Sequence, residues 1–115
     1  MAPKRNPLNL NPLQLKTLTL LQAIARIPDL SRKEGDGMLV SNLGQPHGDH
    51  FHLGDALVNT RDATGLFNEA AWIALERKGL IKSMFPNAAV LTPEGLAYET
   101  GLADAILNHA DHGGH

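Results

Sequence analysis

Cysteine is absent from the 115 residues, which removes disulfides, thiolate metal ligands and cysteine nucleophiles together. A firmly held metal would have to be taken by His, Asp or Glu. Aromatic residues are few, three Phe, one Tyr and one Trp, so Leu, Ile, Val and Ala must fill any core. No apolar run approaches the roughly 18 to 20 residues of a membrane span, and the opening "MAPKRNP" lacks the apolar stretch of a signal peptide. The expectation is a soluble, cytoplasmic protein without membrane association. Basic charge is not in excess either: ten basic and twelve acidic residues give −2, whereas non-specific nucleic-acid binding ordinarily rests on a basic surface. Ser31, Ser41 and Ser83 stand outside any nucleophile pattern, and neither a phosphate loop nor a separate catalytic carboxylate pair is present.

The hydrophobic fraction of 43% and the length imply one globular domain with a modest core. Residues 1–9 carry Pro3, Lys4, Arg5 and Pro7 and read as a flexible arm, residues 10–108 as the domain, and residues 109–115 as a histidine-rich tail. "LNPLQL" holds a complete helix start, with Asn11 as N-cap, Pro12 in the first helical position, Gln14 to close a capping box and Leu10 stapling onto Leu15. Leu15, Leu18, Leu21 and Ala25 continue one apolar face, and Pro28 ends the helix. Charged, glycine-bearing "DLSRKEGDG", Asp29 to Gly37, reads as an exposed loop. A β-hairpin is expected from about Gly37 to Val58 around the turn "GQPHGD".

The next helix is expected to open at Asn59 or Thr60 and close at Gly79. Ala63, Leu66, Phe67, Ala70, Ile73 and Ala74 would form its buried face, leaving Trp72 and Leu75 off that face as interface residues. The alternative for Trp72 is packing within the monomer on the final helix or the first hairpin, and either reading keeps it from free solvation. "LIKSM" and "AAVLT" flank "FPN" as a second hairpin. "LTPEGL" opens a last helix capped by Thr92 that runs to about Asn108, with an interruption at Gly101. The class is α+β, in the order helix, β-hairpin, helix, β-hairpin, helix.

All six histidines lie in two clusters, "QPHGDHFHLGD" and "HADHGGH". On a strand, His50 and His52 project from one face and can converge on one ion. His47 or Asp49 from the turn would add a third ligand, and Asp55, His109 or His112 a fourth. Such a set suits zinc or another divalent transition metal. The alternative is a polar hairpin whose histidines are solvated or respond to protons near neutral pH. "HFHLGD" is similar to the His-x-His stretch of cupins, but a cupin barrel needs about eight strands, too many for this chain.

"ALERKGLIKSMFPNAAVLTPEGLAYE", Ala74 to Glu99, resembles the recognition-helix end, wing and following helix of winged-helix proteins, most nearly repressors of the antibiotic-resistance-regulator type. The chain as a whole is similar to small alphaproteobacterial proteins. The resemblance implies a winged-helix-like fold, DNA as a ligand, regulatory function and a homodimer joined by flanking helices. It departs from the family where "GMLVSNLGQPHGDHFHLGDALV" stands in place of a second helix.

Residues placed to contact DNA under this resemblance are Arg61, Asn68, Arg77, Lys78 and Lys82. Against it, the exposed face of the same helix offers three acids, Asp62, Glu69 and Glu76, for three bases, which is poor material for groove docking. Three functions therefore follow, in order of preference. The first is a non-enzymatic, winged-helix-like regulatory or interaction protein, DNA-binding and metal-responsive. The second is a protein-binding module on the same scaffold without DNA contact. The third is a histidine-based metal protein with hydrolytic activity.

Overall fold

A computed structural model describes residues 6–41, 50–53 and 56–109, with residues 50–53, 56 and 108–109 described through their backbone alone. The first helix, α1 (Pro12–Ile24), starts where its cap residues require. Asn11 Oδ1 accepts from the Gln14 amide at 2.8 Å and Gln14 Oε1 accepts from the Asn11 amide at 3.0 Å. These reciprocal bonds satisfy amide donors that the first turn leaves without carbonyl partners.

The segment expected to be an exposed loop after α1 is instead half strand. β1 (Ser31–Glu34) turns tightly into β2 (Gly37–Ser41), pairing Glu34 with Gly37 and Ser31 with Val40. The expected hairpin from Gly37 to Val58 does not form, because β2 is taken by β1 on one side and by β6 (Ala88–Leu91) on the other. Its intended second half, β3 (His50–Leu53), pairs with β4 (Ala56–Asn59). The charges of β1 mark a sheet edge, where polar side chains and short length are the rule.

β5 (Ile81–Met84) and β6 form the second hairpin where the sequence places it, and the antiparallel order of the larger sheet is β1–β2–β6–β5. A three-stranded sheet has the order β3–β4–β7, with β7 being Asn108–His109. The class is thus α+β, with four α-helices among the described residues.

The helix expected from Thr60 is broken into two 3₁₀ turns, Thr60–Asp62 and Thr64–Phe67, followed by α2 (Glu69–Arg77). Asn68 is the reason: its side chain accepts from the Ala70 and Ala71 amides, starting a fresh helix with its own rotational phase. Gly79, at φ +79°, ends that helix in the left-handed conformation a C-cap calls for. The last helical stretch is two short pieces, α3 (Pro93–Ala97) and α4 (Ala103–Ile106), divided near Gly101.

α1 sits at the centre. Leu18, Leu20, Leu21 and Ile24 are fully buried against Leu66, Trp72 and Leu75 from the second 3₁₀ turn and α2, and against strand residues including Val40, Ala89 and Leu91. Polar ties lock the periphery to it. Lys16 pairs with the largely buried Asp62 at 3.0 Å. Thr19 and Thr100 share a buried hydroxyl–hydroxyl bond of 2.6 Å, and Gln22 Nε2 donates to the carbonyls of Gly95 and Tyr98.

Candidate functional site

The surface built by α2 and the β5–β6 hairpin is the part of the molecule where the sequence placed function. The new helix phase set by Asn68 turns the expected faces around. Trp72 and Leu75 are completely buried, while Phe67 is 50% and Ile73 40% exposed. Trp72 is held on two sides: its Nε1 donates to the Gly65 carbonyl at 3.0 Å, and its ring meets Phe85 edge-on with centroids 5.1 Å apart. Trp72 and Leu75 are therefore core rather than interface, and the exposed apolar residues near them are Phe67, Ala70 and Ile73.

Helical spacing orders the outward strip of α2. Ile73 lies at its middle, Glu69 and Glu76 fall along one edge at i−4 and i+3, and Arg77 with Ala70 along the other. All five are exposed. Asp62, which the sequence suggested as a third outward acid, points inward to Lys16. The strip is apolar at its centre and acidic along one side.

Of the residues expected to contact DNA, Arg77 alone lies on this strip, and the others are scattered around it. Arg61 is exposed on the first 3₁₀ turn and Lys82 on β5. The side-chain oxygen of Asn68 is engaged in capping α2. Lys78 Nζ donates to the Leu8 carbonyl at 2.9 Å, so this cation holds the chain ahead of α1. Arg77 is exposed in the last turn of α2. The Glu76 carboxylate accepts weakly from the Ser83 amide at 3.4 Å, which ties the helix to the hairpin edge.

The histidines divide between described and undescribed residues. His47, Asp49, Asp55 and His112 lie outside the described residues. His50 and His52 are on β3 and His109 on β7, and both strands flank β4, so the two histidine-bearing segments belong to one sheet. His52 stands opposite Leu57, which stands opposite Asn108, whereas His109 stands opposite Ala56. His52 and His109 thus occupy register rows of different parity. Among the described residues no group of three or more His, Asp or Glu is assembled as a metal site, and no helix is long and apolar enough to cross a membrane.

The exposure of Phe67 and Ile73 escaped the sequence reading, although its signal was present. "NEAA" at Asn68 is itself a helix start, and counting the helical period from there places Trp72 and Leu75 inward. The contacts of Lys78 and Tyr98 with residues 6–8 had no local signal, since the partners are 70 to 92 positions apart. No family model, no curated protein and no solved structure matches the chain.

Proposed function

We propose that this chain is a small non-enzymatic, winged-helix-like interaction module whose α2 surface binds protein in preference to DNA, with a second copy of the chain as its partner. The observation that carries the proposal is the outward strip of α2, in which Ile73 is central and 40% exposed beside Phe67 at 50%. Apolar side chains at the centre of a patch with charge at its edges are the pattern of a protein interface. A groove-docking helix instead needs phosphate-facing cations and base-reading polar groups. In a parallel pairing of two α2 helices, the Glu69 and Glu76 edge of one meets the Arg77 edge of the other, which is charge-complementary.

The winged-helix part of the proposal is supported by chain order. The β5–β6 hairpin follows α2 directly, as a wing would, and its second strand is zipped to β2, the strand that ends the segment after α1. The two 3₁₀ turns occupy the place of the helix before the recognition helix.

Sedimentation equilibrium at micromolar concentrations, paired with gel shifts on mixed genomic DNA fragments at low salt, tests the function. The expected result is a dimer that Ile73→Glu converts to a folded monomer, with no DNA retardation. A monomer in wild type, or retardation lost in Arg77→Ala and Lys82→Ala, would overturn it. We further propose that the histidine hairpin takes zinc or another divalent transition metal through His50 and His52 with His47 or Asp49. Elemental analysis of untagged protein should then find stoichiometric metal that disappears in His50→Ala/His52→Ala, and a metal-free wild type would refute this.

A further inference from the structure

The chain ahead of α1 is fastened twice over, by Leu10 buried in the core with Leu8 packed against it, and by hydrogen bonds of its backbone. The Leu8 amide donates to Tyr98 Oη at 3.1 Å, and the Leu8 carbonyl accepts from Lys78 Nζ at 2.9 Å. Tyr98 Oη in turn donates to Asn6 Oδ1. Asn6 closes the turn by bonding both the amide and the carbonyl of Leu10, at 2.9 and 2.8 Å. Beside this turn runs a groove of about 540 Å³ whose floor is Pro7, Leu8, Leu80, Ala97 and Tyr98. Lys78, Glu94 and Glu99 complete the lining. The lysine is engaged by the Leu8 carbonyl, whereas the two carboxylates are exposed and without an ion pair among the described residues, leaving the groove net acidic.

We propose that this groove is the docking site for the chain's own segment Ala2–Arg5, "APKR", which lies outside the described residues. Three observations select this occupant. Ala2 and Pro3 suit an apolar floor, and Lys4 and Arg5 suit a carboxylate rim, so both halves of the segment have a counterpart. Asn6, the residue joined to Arg5, touches Tyr98 of the floor, and four residues reach at most about 14 Å, so the groove is within the tether. Tethering also supplies an effective concentration in the millimolar range, so a contact too weak to form between separate molecules is populated within one. The consequence is a groove covered by its own chain, which a basic and apolar segment of a partner enters only by displacing residues 2–5.

Limited trypsin digestion of the full chain tests this through the bonds after Lys4 and Arg5. Cleavage there follows the undocked fraction when docking is fast. Glu94→Gln/Glu99→Gln should raise the rate at those two bonds about fivefold or more at low salt, and the difference should close at about 0.5 M salt as the charges are screened. Rates at the remaining Lys and Arg bonds should not change, which separates undocking from unfolding. In a second measurement, Lys4→Glu/Arg5→Glu should shift the methyl resonances of Leu80 and Ala97 and leave those of Leu18 and Leu21 in place. Equal trypsin rates, acceleration at every bond alike, or unmoved Leu80 and Ala97 methyls would overturn the proposal. Protection that rises with protein concentration would overturn it too, by assigning the groove to a second copy.

Discussion

Replacing Trp72 with Ala distinguishes a core residue from an interface residue on one helix. Full burial of an aromatic side chain removes about 150–250 Å² from water, and at about 25 cal/mol per Å² that is about 4–6 kcal/mol. Alanine keeps a fraction of it, while the cavity adds a penalty, and such truncations fall at about 3–5 kcal/mol. Two specific losses push toward the upper end. The edge-on contact with Phe85 disappears, at about 0.5–1.5 kcal/mol, and the Gly65 carbonyl loses its donor inside the protein. A loss of about 4 kcal/mol is about a quarter or more of the roughly 5–15 kcal/mol that holds a domain together.

Urea unfolding followed by far-UV circular dichroism is the suitable assay, since Trp72 is the single tryptophan and its fluorescence leaves with it. With a slope of about 1.5 kcal/mol per M, the midpoint should fall by about 2–3 M. Trp72→Phe keeps most of the apolar area and forfeits the indole N–H, so it should cost about 1–2 kcal/mol. A Trp72→Ala protein with an unchanged urea midpoint and an altered oligomeric state would refute the assignment of Trp72 to the core.

Two other substitutions probe how neighbouring elements are positioned. Asn68→Ala removes the cap of α2 and should lower stability by about 1 kcal/mol. Asn68→Asp, which keeps an accepting oxygen at the helix start, should recover most of it in the same urea titration. Gly95 passes so close to the backbone just ahead of β5 that an added Cβ would sit 1.9 Å from the Leu80 carbonyl oxygen. Gly95→Ala must therefore move backbone against backbone and should cost more than about 2 kcal/mol, and a neutral result would show that α3 is not seated on Leu80 as described.

Legibility in the sequence followed the range of the interaction. The start of α1, the Gly79 end of α2, the β5–β6 hairpin and the Thr92 cap of α3 are all set by residues within a few positions of one another, and each stands where the local signals put it. The first hairpin was misplaced because strand pairing is a choice among partners. β2 has a compatible neighbour downstream, but β1 closes on it through a shorter turn and β6 satisfies its other edge. The faces of α2 were misassigned for a subtler reason. Ala63, Leu66 and Phe67 share a helical period with Ala70 and Ile73 on paper, but the backbone between them is 3₁₀ and the cap at Asn68 restarts the count.

The candidate surface inherits the same division. Its residue types, a mixed charge set around an apolar centre, could be listed from the chain. Which of them face outward depended on where Trp72 found its cavity, between Gly65 and Phe85. Asp62 illustrates the point: as a sequence position it is an acid on a helix face, and in the fold it is an inward partner of Lys16.

By itself the sequence determined the predominance of aliphatic residues in the core, the absence of thiol chemistry, the α+β class, and most of the caps and turns, because these depend on side-chain chemistry and on bonds reaching three or four residues. Tertiary structure alone decided that β2 lies between β1 and β6, that Trp72 is core and Ile73 surface, and that Tyr98 and Lys78 hold residues 6–8. Those outcomes rest on apolar burial and hydrogen bonds between segments up to 92 positions apart, where many pairings satisfy the local pattern and only the packed whole selects one.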